Sequence, residues 1–180
     1  MKRIIILMIV TVIFSLSCDK ETTKNNEILT IEDLLVKNNE ITGWSYSGGS
    51  WVANNISDLT TYIDGLAEIF QRHGFVEAAH QQYQGKIDGA NRQLLLYIYN
   101  QGIEENAKAL YQDPDLGLSG AVDWTQGNPG KEAHYIRYGG LSQVLSFYQD
   151  KYYVQIQINY DTEESLNVLK QFALNVSGKM

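Results

Sequence analysis

The sequence predicts the α+β fold class, with an antiparallel β-sheet and helices packed mainly on one of its faces. In segment 152–160, Val154, Ile156 and Ile158 alternate with polar or aromatic residues, and this period of two puts alternate side chains on opposite faces of a sheet. One buried face and one solvated face are typical of antiparallel sheets. The order of the patterns along the chain, β-α-β-β-α-β-β-β-α, places paired strands between helices and indicates the same class.

The strands are predicted from segments rich in β-branched and aromatic residues that are bounded by turn residues. Gly48 and Gly49 are expected to end the first strand, and Gly85 and Gly89 to bracket the hairpin loop between the second and the third. The predicted strands are 44–46, 75–84, 92–99, 134–138, 144–148 and 152–160.

Three helices are predicted from apolar residues at helical spacing. The first follows a candidate N-cap at Ser57 and stops at Gly74, the second covers 103–111, and the third runs from Thr162 to Gly178. The Gly- and Asp-rich loop 112–133 is long for a compact domain, so we expect it to be functional or mobile.

Composition limits the function classes. The chain has 180 residues, enough for one domain with short extensions, and a formal net charge of −7. Nucleic-acid binding needs a basic face, so this balance argues against nucleic acid as a partner. The single cysteine excludes an intramolecular disulfide and a multi-cysteine zinc site, and no cofactor or metal motif is present in the sequence.

The N-terminus has the pattern of a secretory signal peptide. Lys2 and Arg3 precede the apolar run 4–14, which is shorter than the roughly 20 residues that span a bilayer. The only cysteine, Cys18, stands where cleavage would expose it. This arrangement resembles the lipobox of bacterial lipoproteins, in which the thiol receives fatty acyl chains such as palmitate. The alternative is an ordinary signal peptide cut nearby, which would leave Cys18 as a free thiol.

These patterns predict that the chain is divided into three parts. Residues 1–17 are predicted to be the lipoprotein signal peptide, and 41–180 a single α+β domain. Segment 18–40 is predicted to hold the acylated Cys18, a polar tether at 19–27 and a short amphipathic stretch with Thr30 as a candidate cap. The lipid at Cys18 would then be the attachment to a membrane of the bacterial cell envelope, with the domain facing the periplasm or the exterior.

Asp64 and Glu68 are the first candidate binding residues. They are four positions apart and are therefore expected on one helix face, where two carboxylates could share a proton or hold a cation; the alternative is a solvated polar face. Gly65 lies between them inside the predicted helix at a cost of about 1 kcal/mol relative to alanine, which predicts close packing at that point.

The aromatic residues give a second set of candidates. Twelve of the twenty aromatic residues are tyrosines, and many of them fall on predicted strands. They predict either a binding platform for sugars or peptides or a sheet with one wet face. We expect any site to form where the first helix with Tyr62, the tyrosine-bearing strands and loop 112–133 meet, with Trp124 as a movable cover.

One further pattern resembles a known family. The pairs Gly43-Trp44 and Gly74-Phe75 flank segment 59–68, which contains Tyr-Ile-Asp-Gly-Leu-Ala-Glu. This resembles an uncharacterised bacterial lipoprotein family, catalogued as a domain of unknown function, with the signature Tyr-Ile-Asn/Asp-Gly-Gly-Ala-Glu. Leu66 stands where that signature has its second glycine. The resemblance implies a secreted, usually lipid-anchored protein and supplies no catalytic residues.

Three functions are compatible with the sequence. The first is a non-enzymatic binding or interaction module of the envelope, with a protein, peptide or glycan as ligand. The second is an envelope hydrolase that uses Asp64 and Glu68, which would require these carboxylates to lie in a cleft. The third is a structural protein that associates through an edge strand at 92–99. No nucleophile, base and orienting group occur together, which favours binding over turnover.

Overall fold

The strand pattern at the C-terminal end of the sequence is realised as predicted. A computed structural model describes residues 29–180, and within it Val154, Ile156 and Ile158 are fully buried on one face of the strand Tyr152–Ile158. The predicted signal peptide, Cys18 and the tether 19–27 lie outside the described residues.

Seven strands form one sheet in which every neighbouring pair is antiparallel, in the order β1-β2-β3-β7-β6-β5-β4. The α+β class with an antiparallel sheet is therefore confirmed. The strands are β1 (Trp44–Ala53), β2 (Glu77–Ile87), β3 (Ala90–Asn100), β4 (Val122–Asp123), β5 (Glu132–Arg137), β6 (Gln143–Gln149) and β7 (Tyr152–Ile158). The helices are α1 (Ile56–Tyr62), α2 (Ala67–Arg72), α3 (Glu104–Tyr111) and α4 (Glu163–Ser177), with 3₁₀ helices at Ile31–Leu34 and Pro114–Leu116.

Helices lie on both faces of the sheet rather than mainly on one. Phe172 of α4 packs edge-on to Trp44 and Tyr83 in a cluster that includes Ile156, and we call this side the α4 face. On the opposite side, Phe70 of α2 stacks on Tyr99 at 4.1 Å between ring centroids, in a cluster that also holds residues of α1 and α3. The sheet is thus a middle layer between two helical layers.

The first predicted helix is broken in two at Gly65. This residue lies in the turn between α1, which ends at Tyr62, and α2, which begins at Ala67, and its φ of +76° is a left-handed conformation that does not continue a helix. No atom lies within 4 Å of the position a Cβ would take at Gly65, so the prediction of close packing there is wrong. The N-cap of α1 is Asn55, whose side chain accepts from the backbone N–H of Asp58, and not Ser57.

Strand β1 continues through the glycines that were expected to end it. Gly48 and Gly49 have φ of +100° and +60°, and the pairing register with β2 shifts twice along this part of the strand. These shifts are β-bulges, each of which adds one residue to β1. Strand β1 is therefore longer than predicted, and the element order differs from the prediction by the extra helix α2 and the short strand β4.

The β2–β3 hairpin is also tighter than predicted. Asp88 and Gly89, both with positive φ, form the two-residue turn, and Gly85 lies inside β2. A Cβ at Gly85 would lie 2.5 Å from the ring of Trp44, so glycine is needed there for close packing. Strand β3 pairs with β2 on one side and β7 on the other, so the prediction that 92–99 forms an edge strand is wrong.

The segment before β1 belongs to the core of the α4 face. Ile31, Leu34 and Val36 are buried there. Thr30 occupies the N-cap position of the short helix as predicted, but the acceptor is the Asp33 carboxylate, to which the Thr30 backbone N–H donates at 3.0 Å and its hydroxyl at 2.7 Å. At the other end of the chain, the Lys179 ammonium donates to the carbonyl oxygen of Leu35 and to a carboxylate oxygen of Glu40, both at 2.7 Å. Among residues 29–180, none of the helices has the length and apolar character required to cross a membrane.

Candidate functional site

The two candidate carboxylates lie close together but in the open. Asp64 is in the turn between α1 and α2, and Glu68 is in the first turn of α2, so they do not share one helix. Both side chains are exposed and line an open pocket of about 380 Å³ together with Thr60 and Gln71. Ile56, Gly65 and Ala67 complete its wall, and because both carboxylates remain exposed, burial does not separate an acid from a base here.

Trp124 lies far from these carboxylates. It follows β4, the last strand of the sheet, and its ring sits on the α4 face with the Lys170 ammonium 5.0 Å from the ring centroid. α1 and Asp64 lie instead beside β1, the opposite edge strand, six strand spacings of about 4.8 Å away. Trp124 therefore cannot cover the first helix, and the predicted meeting of these elements is wrong.

Loop 112–133 shapes a small cavity of its own. The cavity has a volume of about 270 Å³ and lies between Trp124 and Tyr111, with Lys131 and Glu132 at its wall. The Trp124 indole N–H donates to the carbonyl oxygen of Gln126 at 2.7 Å, so its only donor is used within the loop.

Tyr62, the last residue of α1, lies on an aromatic surface. Its ring is parallel to that of Trp51 within 2°, with 4.6 Å between the centroids. Trp51 is the central residue that the sequence analysis missed, because the first strand was expected to end at Gly49. The two bulges of β1 move Trp51 two positions along β2, from the level of Ala78 to the level of His80.

Trp51, His80 and Tyr97 are direct neighbours across β1, β2 and β3, and with Tyr62 they form what we call the Trp51 cluster. The rings of His80 and Tyr97 are stacked, with 4.3 Å between their centroids and 21° between their planes. The centroids of Trp51 and His80 are 5.3 Å apart. Tyr62 is 47% exposed, Trp51 and Tyr97 are half-buried, and His80 is buried. The cluster is therefore a contiguous aromatic surface that solvent reaches from one side.

His80 is held in its neutral form within this cluster. Burial lowers the pKa of His80, and this outweighs the opposite effect of its hydrogen bond to the backbone. The Nδ1–H donates to the carbonyl oxygen of Leu96 at 2.9 Å, which leaves Nε2 as an acceptor. The aromatic cluster thus carries no charge at neutral pH.

Uncharged polar side chains continue the surface beyond the cluster. Gln155 follows Tyr97 in the same cross-strand row, and Gln82, Leu95 and Gln157 form the next row, all of them half-buried. We call these two rows together with the Trp51 cluster the open face. Within residues 29–180, no hydrogen bond uses the side-chain amide of Gln82, Gln155 or Gln157, whereas many other side-chain amides of the chain are engaged.

A second group of titratable residues lies beside α2, where it serves the fold. The His73 Nε2–H donates to the Asp113 carboxylate at 2.6 Å, and the Arg72 guanidinium donates to both oxygens of the same carboxylate. Burial alone would raise the pKa of Asp113, but hydrogen bonds from His73, the Asp115 backbone N–H and Arg72 lower it to about 2. Within the described residues, no hydroxyl or thiol hydrogen-bonds to His73, so the pair lacks a nucleophile.

Metal binding finds no support in the described part of the chain, since residues 29–180 hold no group of three or more His, Cys, Asp or Glu side chains suited to a metal ion.

Comparisons with protein-family models, with curated proteins and with solved structures found no match. The resemblance to a bacterial lipoprotein family therefore stays a prediction.

Proposed function

We propose that this chain is a lipid-anchored protein of the bacterial cell envelope, attached through Cys18, that acts as a non-enzymatic binding module facing the periplasm or the exterior. The signal-peptide pattern and the position of the only cysteine support the location. The Trp51 cluster supports the binding role and is the proposed binding site.

The contiguity of the exposed aromatic rings is the observation on which this proposal depends. Scattered surface aromatics need no explanation, but the rings of Tyr62, Trp51, His80 and Tyr97 follow one another at 4.3 to 5.3 Å. Trp and Tyr supply large contact areas at a low cost in side-chain entropy, which is why they are common in binding surfaces. The unused amides of the neighbouring glutamines add donors and acceptors that can orient a ligand.

The alternative of an envelope hydrolase has weaker support. A pair of catalytic carboxylates requires an environment that separates their roles as acid and base, which solvent-exposed groups lack. Asp64 and Glu68 are both exposed, and the one hydroxyl that lines their pocket, that of Thr60, donates to the backbone carbonyl oxygen of Ile56. These features favour binding over turnover.

Binding is tested with the full lipid-anchored chain in detergent and with purified bacterial cell-wall fragments as the probe. We expect the chain to co-sediment with the fragments and Trp51→Ala to lose at least 90% of this binding. Trp124→Ala is the matched control, because it removes a partly buried tryptophan from the opposite face and should bind as the wild type does. Equal binding by wild type and Trp51→Ala would refute the proposed site.

The anchor is tested separately by membrane fractionation. Cys18→Ser removes the only thiol and should release the protein from the membrane fraction. Unchanged membrane association of the variant would refute the lipid anchor without affecting the binding site.

A further inference from the structure

We infer that the ligand of the open face is an uncharged oligosaccharide that lies across strands β1, β2, β3 and β7, with its sugar rings on the Trp51 cluster and its hydroxyls on the glutamines. This inference rests on the proposed function, because it names the class of ligand for the same surface. It depends on three features of the open face: its lack of charge, its unused amides and its position mainly on interior strands of the sheet.

The first feature is the absence of charge from this part of the sheet. The chain has 35 charged residues and a net charge of −7, yet the two rows of the open face contain no Lys, Arg, Asp or Glu. The next row toward the β2–β3 turn is also uncharged, with Ser45, Gln84 and Gln93 side by side. A surface that binds an anionic polymer, a nucleic acid or a cationic peptide presents the opposite charge, so this surface is complementary to a neutral ligand.

The second feature is the pairing of aromatic rings with free amides. A pyranose ring has an apolar C–H face, which packs on an aromatic ring, and a rim of hydroxyls, each of which donates and accepts hydrogen bonds. A glutamine amide also donates and accepts, so Gln155 beside Tyr97 and Gln157 in the next row match such a rim. Because these amides have no protein partner within residues 29–180, binding would not break an existing hydrogen bond of theirs.

The third feature separates a glycan from a peptide. Extended peptides are most often bound by adding a strand to a sheet edge, where backbone groups provide the affinity. Apart from Trp51 on the edge strand β1 and Tyr62 on α1, the open face lies on β2, β3 and β7, whose backbones are already paired on both sides. The edges themselves are poor templates, since β1 is interrupted by two bulges and β4 has only two residues.

The extent of the surface favours a chain of sugars over a single one. From Trp51 on β1 to Gln155 on β7 the row crosses three strand spacings, a distance of about 14 Å. An occupant that contacts both ends is therefore longer than one pyranose ring.

The test is a titration of the full lipid-anchored chain, in a detergent without a sugar headgroup, monitored by isothermal calorimetry. The probes are neutral β-linked glucose and N-acetylglucosamine oligomers, the polyanion polygalacturonate, and an uncharged peptide of similar length. We expect a neutral oligomer to bind, to compete with cell-wall fragments, and to keep its affinity within two-fold between low and high salt. We further expect Trp51→Ala to weaken binding at least ten-fold, Gln157→Ala three-fold or more, and Trp124→Ala less than two-fold.

Each outcome has a defined meaning. If cell-wall fragments bind through Trp51 but no neutral oligomer binds or competes, the oligosaccharide inference is refuted while the proposed binding site stands. Tighter binding of the peptide or of polygalacturonate than of every neutral oligomer also refutes it. If neither fragments nor oligomers bind a chain whose circular dichroism shows it folded, both proposals are refuted. Gln157 is half-buried and its amide makes no hydrogen bond within residues 29–180, so Gln157→Ala keeps the inference testable even if Trp51→Ala disturbs the fold.

Discussion

Replacing Asp113 by asparagine should destabilise the protein at neutral pH and remove part of its pH dependence. Asp113 joins α2 to the segment after α3 by accepting hydrogen bonds from Arg72 and His73, and its carboxylate is only 8% exposed. Asparagine keeps a side-chain oxygen that can accept from the Asp115 backbone N–H, so the 3₁₀ helix Pro114–Leu116 retains its cap. The substitution therefore tests the negative charge more than the shape.

The magnitude follows from the pKa of Asp113. A decrease from 3.8 to about 2 corresponds to at most about 2.4 kcal/mol of stabilisation, at 1.36 kcal/mol for each pKa unit. Arg72 is 48% exposed, and water screens its share of the interaction, so we expect a loss of about 1–2 kcal/mol in the free energy of unfolding at pH 7. Because the folded-state pKa is the lower one, this stabilisation is complete above about pH 4 and is lost as the pH falls toward 2.

The assay is urea denaturation of wild type, Asp113→Asn and the control Asp115→Asn at a series of pH values. The difference between wild type and Asp113→Asn should shrink to about a third when the pH is lowered from about 6 to about 2.5. Asp115 also contacts Arg72 but is 61% exposed, so its substitution should change stability by less than about 0.5 kcal/mol. A difference between wild type and Asp113→Asn that is equal at both pH values would refute the argument from the carboxylate charge.

Three further substitutions test the fold, the first two by the change in the free energy of unfolding and the third by whether a cooperative unfolding transition remains. Phe172→Ala should cost about 3–5 kcal/mol, because it removes a fully buried ring that packs against Trp44 and Tyr83; a loss below 1 kcal/mol would contradict this packing. Gly65→Ala should cost about 1–2 kcal/mol from its positive φ alone, and a stabilised variant would show that the left-handed turn is wrong. Ile156→Asp should prevent folding, since it buries an unpaired carboxylate at a fully buried position; a soluble variant that melts cooperatively would refute the strand register.

Local signals allowed some elements to be predicted closely. Helix α4 begins after Thr162, whose hydroxyl accepts from the Ser165 backbone N–H, and ends at Gly178, as the capping pattern indicates. Glycine was harder to interpret, because the same residue type ends a strand, forms a bulge or breaks a helix. Gly49 is predicted to end a strand but lies in a bulged part of β1, and Gly65 is predicted inside a helix but lies in a turn. For Gly49 the difference depends on pairing partners that lie far away in the sequence.

The prediction that one face of the sheet is solvated holds for only part of β7. On β7, Tyr153 is fully buried beneath the helices of one face, whereas Gln155 and Gln157 on the same side are only half-buried. The alternation of side chains along β7 is the same at all three positions, so the sequence pattern does not show how far the helices cover the strand. For the same reason the Trp51 cluster could not be predicted, since His80 and Trp51 become neighbours only through the register of β1 and β2.

The contact between the last residues of the chain and the segment before β1 affects how the molecule can be oriented on a support. Ile31 and Leu34 place the start of the described chain on the α4 face, and Lys179 holds the last residues beside the same segment. The described part of the chain therefore begins and ends on the side opposite Trp51. A molecule immobilised through its C-terminus, on a sensor surface or a bead, should present the open face to the solution, and a C-terminal fusion should leave it unobstructed.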